Sequence, residues 1–162
     1  MMTLIGATAS AQDFSTRQQA MDYISTTMPK AIAANPAYLT KRSGALTRWF
    51  TDEVSFATGA DGAITMTMRE HFVATKANET VEAKHEARFA VSDVHFDLYL
   101  EVGDVTPSGA AAIGIAIACK TIGCVSAVWG DVASKADSTD FYVQDVATRD
   151  RLLAAFRRLQ TP

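Results

Sequence analysis

The sequence has little of what usually identifies a nucleic-acid interface or a membrane segment. Its 162 residues include two cysteines and four prolines, and charged residues make up 20% of the chain. The net charge is −3, whereas a nucleic-acid-binding protein presents a basic face. Beyond residue 12 no apolar run approaches the roughly 18 residues that read as a membrane-spanning helix. These absences argue against a nucleic-acid partner and against a membrane-spanning protein.

Motifs that carry chemistry are equally scarce. The glycines form no phosphate-cradling pattern, and the hydroxyl residues have no His-Asp partners at the spacing of a nucleophilic triad. Two thiols without a nearby histidine pair do not supply the four ligands of a zinc site. The sequence therefore predicts no metal and no cofactor, and it favours a non-enzymatic protein over an enzyme.

The first residues resemble the end of an export signal. A short apolar stretch runs into Ala9-Ser10-Ala11, which has the small-x-small pattern that signal peptidase cleaves. Residues 1–11 are therefore predicted to be the remnant of a signal peptide, and residues 12–162 a single domain that works in the periplasm or is secreted. The alternative is a disordered tail on a cytosolic protein.

The two cysteines lie close together, at Cys119 and Cys124. In an exported protein such a pair favours a disulfide. We expect the flanking strands to form a hairpin, in which directly opposed residues are near enough for the bond. The alternatives are two free thiols, as in a cytosolic domain, or a reactive pair.

Hydrophobic periodicity predicts a helix, a series of strands and a second helix. A capping box at Ser15-Thr16-Arg17-Gln18 begins a helix over 15–28, and Pro29 should interrupt it. Asp145 should cap a final amphipathic helix, and residues 134–140 read as a polar loop. The predicted strands are 46–56, 64–75, 80–91, 95–102, 111–119, 124–131 and 141–145.

Seven antiparallel strands in meander order, followed by one amphipathic helix, resemble the pleckstrin-homology-like barrel. In this α+β fold two bent sheets pack nearly orthogonally and the C-terminal helix caps one open end. The Cys119–Cys124 loop, the strand at Phe141 and the pattern Arg151-Leu152-Leu153-Ala154-Ala155-Phe156 are also similar to the ending of small exported bacterial proteins of unknown function. That resemblance implies no activity. A helix-grip fold and a cone-shaped fold of the nuclear-transport-factor type are the alternatives.

One charged pair falls on an otherwise apolar strand face. Glu70 and His85 share parity with the apolar residues of the second and third predicted strands. A turn that sets Thr75 opposite Thr80 also sets Glu70 opposite His85, at about 5 Å between Cβ atoms. The pair is a candidate acid/base couple, and the alternative is a satisfied buried polar pair.

Strand parity separates the remaining polar candidates. His71 should point away from His85, which argues against a shared metal site among His71, His85 and His95. The adjacent carboxylates Asp52 and Glu53 should point to opposite faces by the same rule.

An apolar ligand is the other candidate for binding. Met66, Met68, Phe72 and Phe89 lie on apolar strand faces and would line a pocket beneath the first helix. Core packing is the alternative account.

Two functions follow as hypotheses. The first is an exported non-enzymatic domain that binds an envelope protein or a small apolar molecule. The second is a small enzyme that uses Glu70 and His85 for hydrolysis or proton transfer. Beyond these two, a structural or regulatory cytosolic domain with free thiols is the remaining alternative. The sequence does not indicate an oligomeric state.

Overall fold

The computed structural model describes residues 14–33, 38–40, 45–76, 79–105, 111–143 and 145–161. The predicted signal remnant at residues 1–11 lies outside these ranges. Within them the chain forms two helices and nine strands. A short 3₁₀ turn at Val91–Asp93 connects two consecutive strands at one corner. In chain order the elements are α1 Arg17–Ala33, β1 Tyr38–Thr40, β2 Ala45–Thr58, β3 Ile64–Lys76, β4 Glu79–Ala90, β5 Val94–Val105, β6 Ala111–Cys119, β7 Val125–Trp129, β8 Val132–Ala136, β9 Ser138–Val143 and α2 Val146–Gln160.

The first helix continues through its proline. Pro29 lies inside α1, so the turn predicted to follow residue 28 continues the same helix to Ala33. The helix continues because its face at Ala20, Ile24 and Met28 is fully buried, and that packing outweighs the missing backbone hydrogen bond. The cap is also displaced by one residue, since the Gln19 amide donates to Thr16 Oγ1 at 3.2 Å.

The strands form two antiparallel sheets. In the described residues, one sheet has six strands in the order β1-β2-β3-β4-β7-β8, and the other has three in the order β5-β6-β9. The α+β class with antiparallel strands is therefore confirmed. The prediction of a barrel of seven strands in meander order is wrong, because the described residues form nine strands and β7 pairs with β4 of the large sheet.

The predicted hairpin between β6 and β7 is wrong as well. β6 pairs with β5 and β9, whereas β7 pairs with β4 and β8. The segment between them carries the chain from the small sheet to the large one. Residues 134–140, predicted as a polar loop, supply most of β8 and the start of β9, because an exposed edge strand needs backbone pairing and no apolar face.

Both sheets and both helices contribute to one apolar cluster. We call the face of the six-stranded sheet that joins this cluster the inner face, and the opposite face the outer face. Phe156 of α2 stacks on Phe96 of β5 with ring centroids 4.1 Å apart. The side chain of Gln160 donates to the carbonyl oxygens of Val91 and Val94 at 3.0 and 2.7 Å. The end of α2 is thereby fixed to the corner where the chain passes between the sheets.

Candidate functional site

The candidate site depends on the register between β3 and β4. Glu70 is directly opposite His85, and Thr75 is opposite Thr80. The predicted register is therefore confirmed. Two features set it: the apolar residues of both strands must share the inner face, and on the outer face Arg69 binds Glu86 at 2.8 Å.

Glu70 and His85 form a buried hydrogen-bonded pair. His85 Nδ1 lies 3.1 Å from Glu70 Oε2, and the two residues are 7% and 5% exposed. The hydroxyl of Thr51, on the neighbouring strand β2, donates to Glu70 Oε1 at 3.4 Å. The inner face thus holds a carboxylate, an imidazole and a hydroxyl in one row across three strands.

Burial dominates the electrostatics of this pair. Removal from water raises the pKa of the Glu70 carboxyl above its ordinary value of 4.5, because a low-dielectric environment disfavours the charged form. The hydrogen bond from His85 opposes this effect, and the negative charge of Asp140 on β9 adds to it. Glu70 therefore keeps its proton to a higher pH than an exposed glutamate.

Trp129 covers the pair on the side of β7. Its ring stacks on the His85 ring with centroids 4.0 Å apart and planes at 29°, and the residue is 42% exposed. Trp129 lies opposite His85 on one side and opposite Val132 on the other. Sequence reasoning missed this contact because the pairing of β7 with β4 joins strands about forty residues apart, and no local pattern reports it.

An apolar strip continues from Trp129 along the inner face, beyond the buried core. We call it the overhang, and its members lie on β3, β4, β7 and β8. Val81, Trp129 and Val132 are 57%, 42% and 68% exposed, and the ring of Phe72 meets that of Trp129 edge to face at 6.0 Å. The overhang consists of Phe72, Ala74, Val81, Ala83, Trp129 and Val132.

The residues predicted to line an apolar pocket separate into two groups. Met66, Met68 and Phe89 lie in the apolar cluster together with α1 residues, whereas Phe72 lies on the overhang. A ligand-lining role for Met66, Met68, Phe72 and Phe89 stays a prediction.

The outer face holds a second histidine. His71 Nδ1 is 2.7 Å from Asp52 Oδ1, and its ring stacks on Phe50 at 4.6 Å. Glu53 also reaches the outer face, where it binds Arg69 at 2.7 Å. The prediction that Asp52 and Glu53 point to opposite faces is wrong, because a register shift between Thr51 and Glu53 inserts one residue into β2. Within the described ranges no group of three or more His, Cys, Asp or Glu residues could hold a metal ion.

The predicted disulfide is confirmed. Cys119 and Cys124 are bonded, with their Cα atoms 5.6 Å apart. The bond closes the crossover between the two sheets at the end of β6 and just before β7. It therefore fixes where the chain leaves the small sheet and enters the large one.

Comparison with known proteins gives no further identification. No helix in the described part of the chain is long and apolar enough to cross a membrane. No protein-family model, curated protein or solved structure matches the chain.

Proposed function

We propose that this protein is an exported, non-enzymatic domain that binds another envelope protein through the overhang. One observation carries the proposal: three large apolar residues, Val81, Trp129 and Val132, are exposed on the same face of one sheet. Contiguous exposed apolar surface of this kind is typical of protein interaction sites.

The shape of the overhang favours a protein partner over a small molecule. Small ligands are held in concave pockets that bury most of their surface. The exposed residues of the overhang lie on one sheet face, and this suits the apolar face of a partner's helix or sheet. The PH-like resemblance adds no partner of its own and remains a prediction.

Trp129 is suited to be the principal contact of such an interface. Tryptophan is enriched among the few residues that carry most of the binding energy. Its stack on the buried His85, which Glu70 holds in turn, limits the orientations of the indole ring. A ring ordered before binding loses less entropy when a partner covers it.

Export is supported by two features of the chain. Disulfides form and persist in oxidising compartments and are rare in the cytosol, and the Cys119–Cys124 bond is closed. The small-x-small pattern at residues 9–11 is what signal peptidase requires. Periplasmic or secreted localisation therefore belongs to the same proposal.

Site-specific photo-crosslinking tests the interface. A photoreactive residue at Val132 should give one discrete protein adduct in envelope preparations from cells that make the protein, and Trp129→Ala should remove most of it. The matched control is a photoreactive residue at Ile122, which is 92% exposed and lies off the overhang. Equal adducts from both positions, or an adduct unaffected by Trp129→Ala, would contradict the proposal.

Native mass spectrometry tests the alternative of a small ligand. A small apolar molecule that the native protein retains and the Trp129→Ala variant loses would show that the overhang binds a ligand and not a protein partner.

The second candidate function is an enzyme that uses Glu70 and His85. The hydrogen bond between them and the raised pKa of Glu70 favour it, because a carboxyl titrating nearer neutrality transfers protons effectively. The low exposure of both groups requires Trp129 to move before a substrate reaches them.

Ester hydrolysis provides a test of this candidate. If the protein hydrolyses activated esters, Glu70→Gln should lower turnover by about 10²-fold or more while the far-ultraviolet circular dichroism stays unchanged. Turnover that is absent from the native protein, or equal in the variant, rules the candidate out.

A further inference from the structure

The outer face of the large sheet carries a second feature, a row of polar residues aligned across four strands. Thr67 is opposite Arg88, Arg88 is opposite Ser126, and Ser126 is opposite Lys135. Neighbouring strands are about 4.8 Å apart, so consecutive members of the row are within reach of one another. The row holds two cations and two hydroxyls and no carboxylate.

A groove of about 400 Å³ opens beside this row. β4 and β7 pair only from His85–Trp129 to Arg88–Ser126, and β4 continues to Ala90. The groove lies where the two strands separate. Its lining residues are Thr65, Glu86, Arg88, Phe89, Ala90, Cys124, Ser126 and Val128.

The cations of the row differ from their neighbour Arg69. Arg69 is held by Glu53 and Glu86 at 2.7 and 2.8 Å, so the Glu86 carboxylate in the groove is already engaged. Arg88 has no hydrogen-bond or ion-pair partner in the described part of the chain. Lys135 Nζ donates to Ser126 Oγ at 2.8 Å. This bond places the ammonium group of the β8 residue Lys135 over β7, the strand next to Arg88. Because Ser126 Oγ accepts in this bond, its O–H can still donate.

We propose that this groove binds a phosphate group, either as the free ion or as a phosphate monoester. The Arg88 guanidinium would bind two oxygens as a fork. The Ser126 hydroxyl lines the groove and would bind from the other side. The Lys135 ammonium lies next to the groove, 2.8 Å from Ser126 Oγ, and would add a second cation there. The two cations flank one hydroxyl, and this arrangement suits a compact oxyanion. The site is on the opposite face of the sheet from the overhang and is independent of the proposed function.

Titration with inorganic phosphate, followed by amide ¹H–¹⁵N spectra at constant ionic strength, tests the site. Saturable shifts should appear at Arg88, Ser126 and Lys135. Arg88→Ala should weaken the apparent affinity by at least about tenfold, since a charge-assisted hydrogen bond is lost. The matched control is Arg157→Ala, which removes the same charge from the exposed face of α2 and should leave the affinity unchanged.

A second titration with glycerol phosphate distinguishes the two sources of the group. Tighter binding than inorganic phosphate identifies an ester, and equal or weaker binding identifies the free ion. Linear shifts that do not saturate would overturn the proposal. Equal weakening in Arg88→Ala and Arg157→Ala would also overturn it, because that result reports only overall charge.

Discussion

Glu70 makes the stability of the protein depend on pH in an unusual direction for a carboxylate. Burial raises the pKa of Glu70 in the folded protein, while in the unfolded chain the carboxyl ionises near 4.5. Between these two pKa values the folded state binds the proton and the unfolded state does not, so the free energy of unfolding falls as pH rises. Below the lower value both states are protonated, and Glu70 adds no pH dependence.

Glu70→Gln should remove this contribution. We expect the variant to gain stability relative to the native protein as pH rises from about 4 towards 7. Chemical denaturation at a series of pH values measures the difference, and Glu79→Gln, an exposed residue at the start of β4, is the control. A native-minus-variant difference that is constant across the range would contradict the assignment. The side-chain carboxyl ¹³C shift of Glu70 reports the same titration directly.

At the scale of residues, the Glu70–His85 pair was predictable from the sequence, whereas the stack of Trp129 on His85 was not. Parity on two adjacent strands and the charge match of Arg69 with Glu86 determine the register, and both are visible in the sequence. The stack of Trp129 on His85 needs a contact between strands that are distant in the chain. The bulge near Asp52 also escapes parity, because it depends on how β2 bends around the core.

At the scale of elements, α2 depends on its first residue. Asp145 accepts hydrogen bonds from the Thr148 amide and hydroxyl at 2.7 and 2.8 Å, and these bonds lower the pKa of Asp145 below 3.8. Asp145→Ala should destabilise the protein by about 1 kcal/mol at neutral pH. The loss should shrink as pH falls through the lowered pKa, because protonation weakens the native cap.

The control for this cap is Asp150→Ala, measured in the same denaturant titrations. Asp150 pairs with Arg149 at 2.8 Å, with side chains 57% and 13% exposed, and ion pairs that solvent reaches contribute about 1 kcal/mol or less. Equal losses in the two variants would show that the cap of Asp145 contributes no more than an aspartate inside the helix.

The disulfide acts on the crossover between the sheets. The sequence separation of the two cysteines is 5, and a loop this short should contribute about 2 kcal/mol by the chain-entropy estimate. Reducing agent should therefore lower the unfolding midpoint of the native protein. It should not change that of the Cys119→Ala/Cys124→Ala double variant. A midpoint that reductant leaves unchanged in the native protein would contradict this role.

Local sequence signals identified most elements but not their partners. The spacing of the cysteines suits a hairpin and a crossover equally well, because both bring the ends of a short segment together. β7 pairs with β4 and not with β6, and in this pairing the buried residues Ala87 and Ala127 are opposite each other. That choice depends on packing across the whole domain.

At the scale of the whole molecule, the two sheets and the two helices should unfold together because they share one apolar cluster. Phe156 is fully buried within it and contacts both Phe96 and Phe141 of the small sheet. Phe156→Ala should cost about 3–5 kcal/mol, a large share of the roughly 5–15 kcal/mol that stabilises a domain.

Denaturation of the Phe156→Ala variant should remain a single transition, with far- and near-ultraviolet circular dichroism coinciding. Arg157→Ala, on the exposed neighbouring position, should change the free energy of unfolding by no more than about 0.5 kcal/mol. Two separate transitions would show that the sheets have independent cores. The predicted barrel was wrong for a related reason. An alternating pattern determines which face of a strand is buried, but it does not determine which sheet the strand joins.

The position of α2 after all the described strands has a consequence for folding during synthesis. Leu152, Phe156 and Leu159 of α2 fill the core after all the described strands have been made, and Gln160 closes the corner between the sheets. A nascent chain therefore cannot complete its core until these residues have left the ribosome. Until then the apolar faces of the sheets that pack against α2 stay exposed to water.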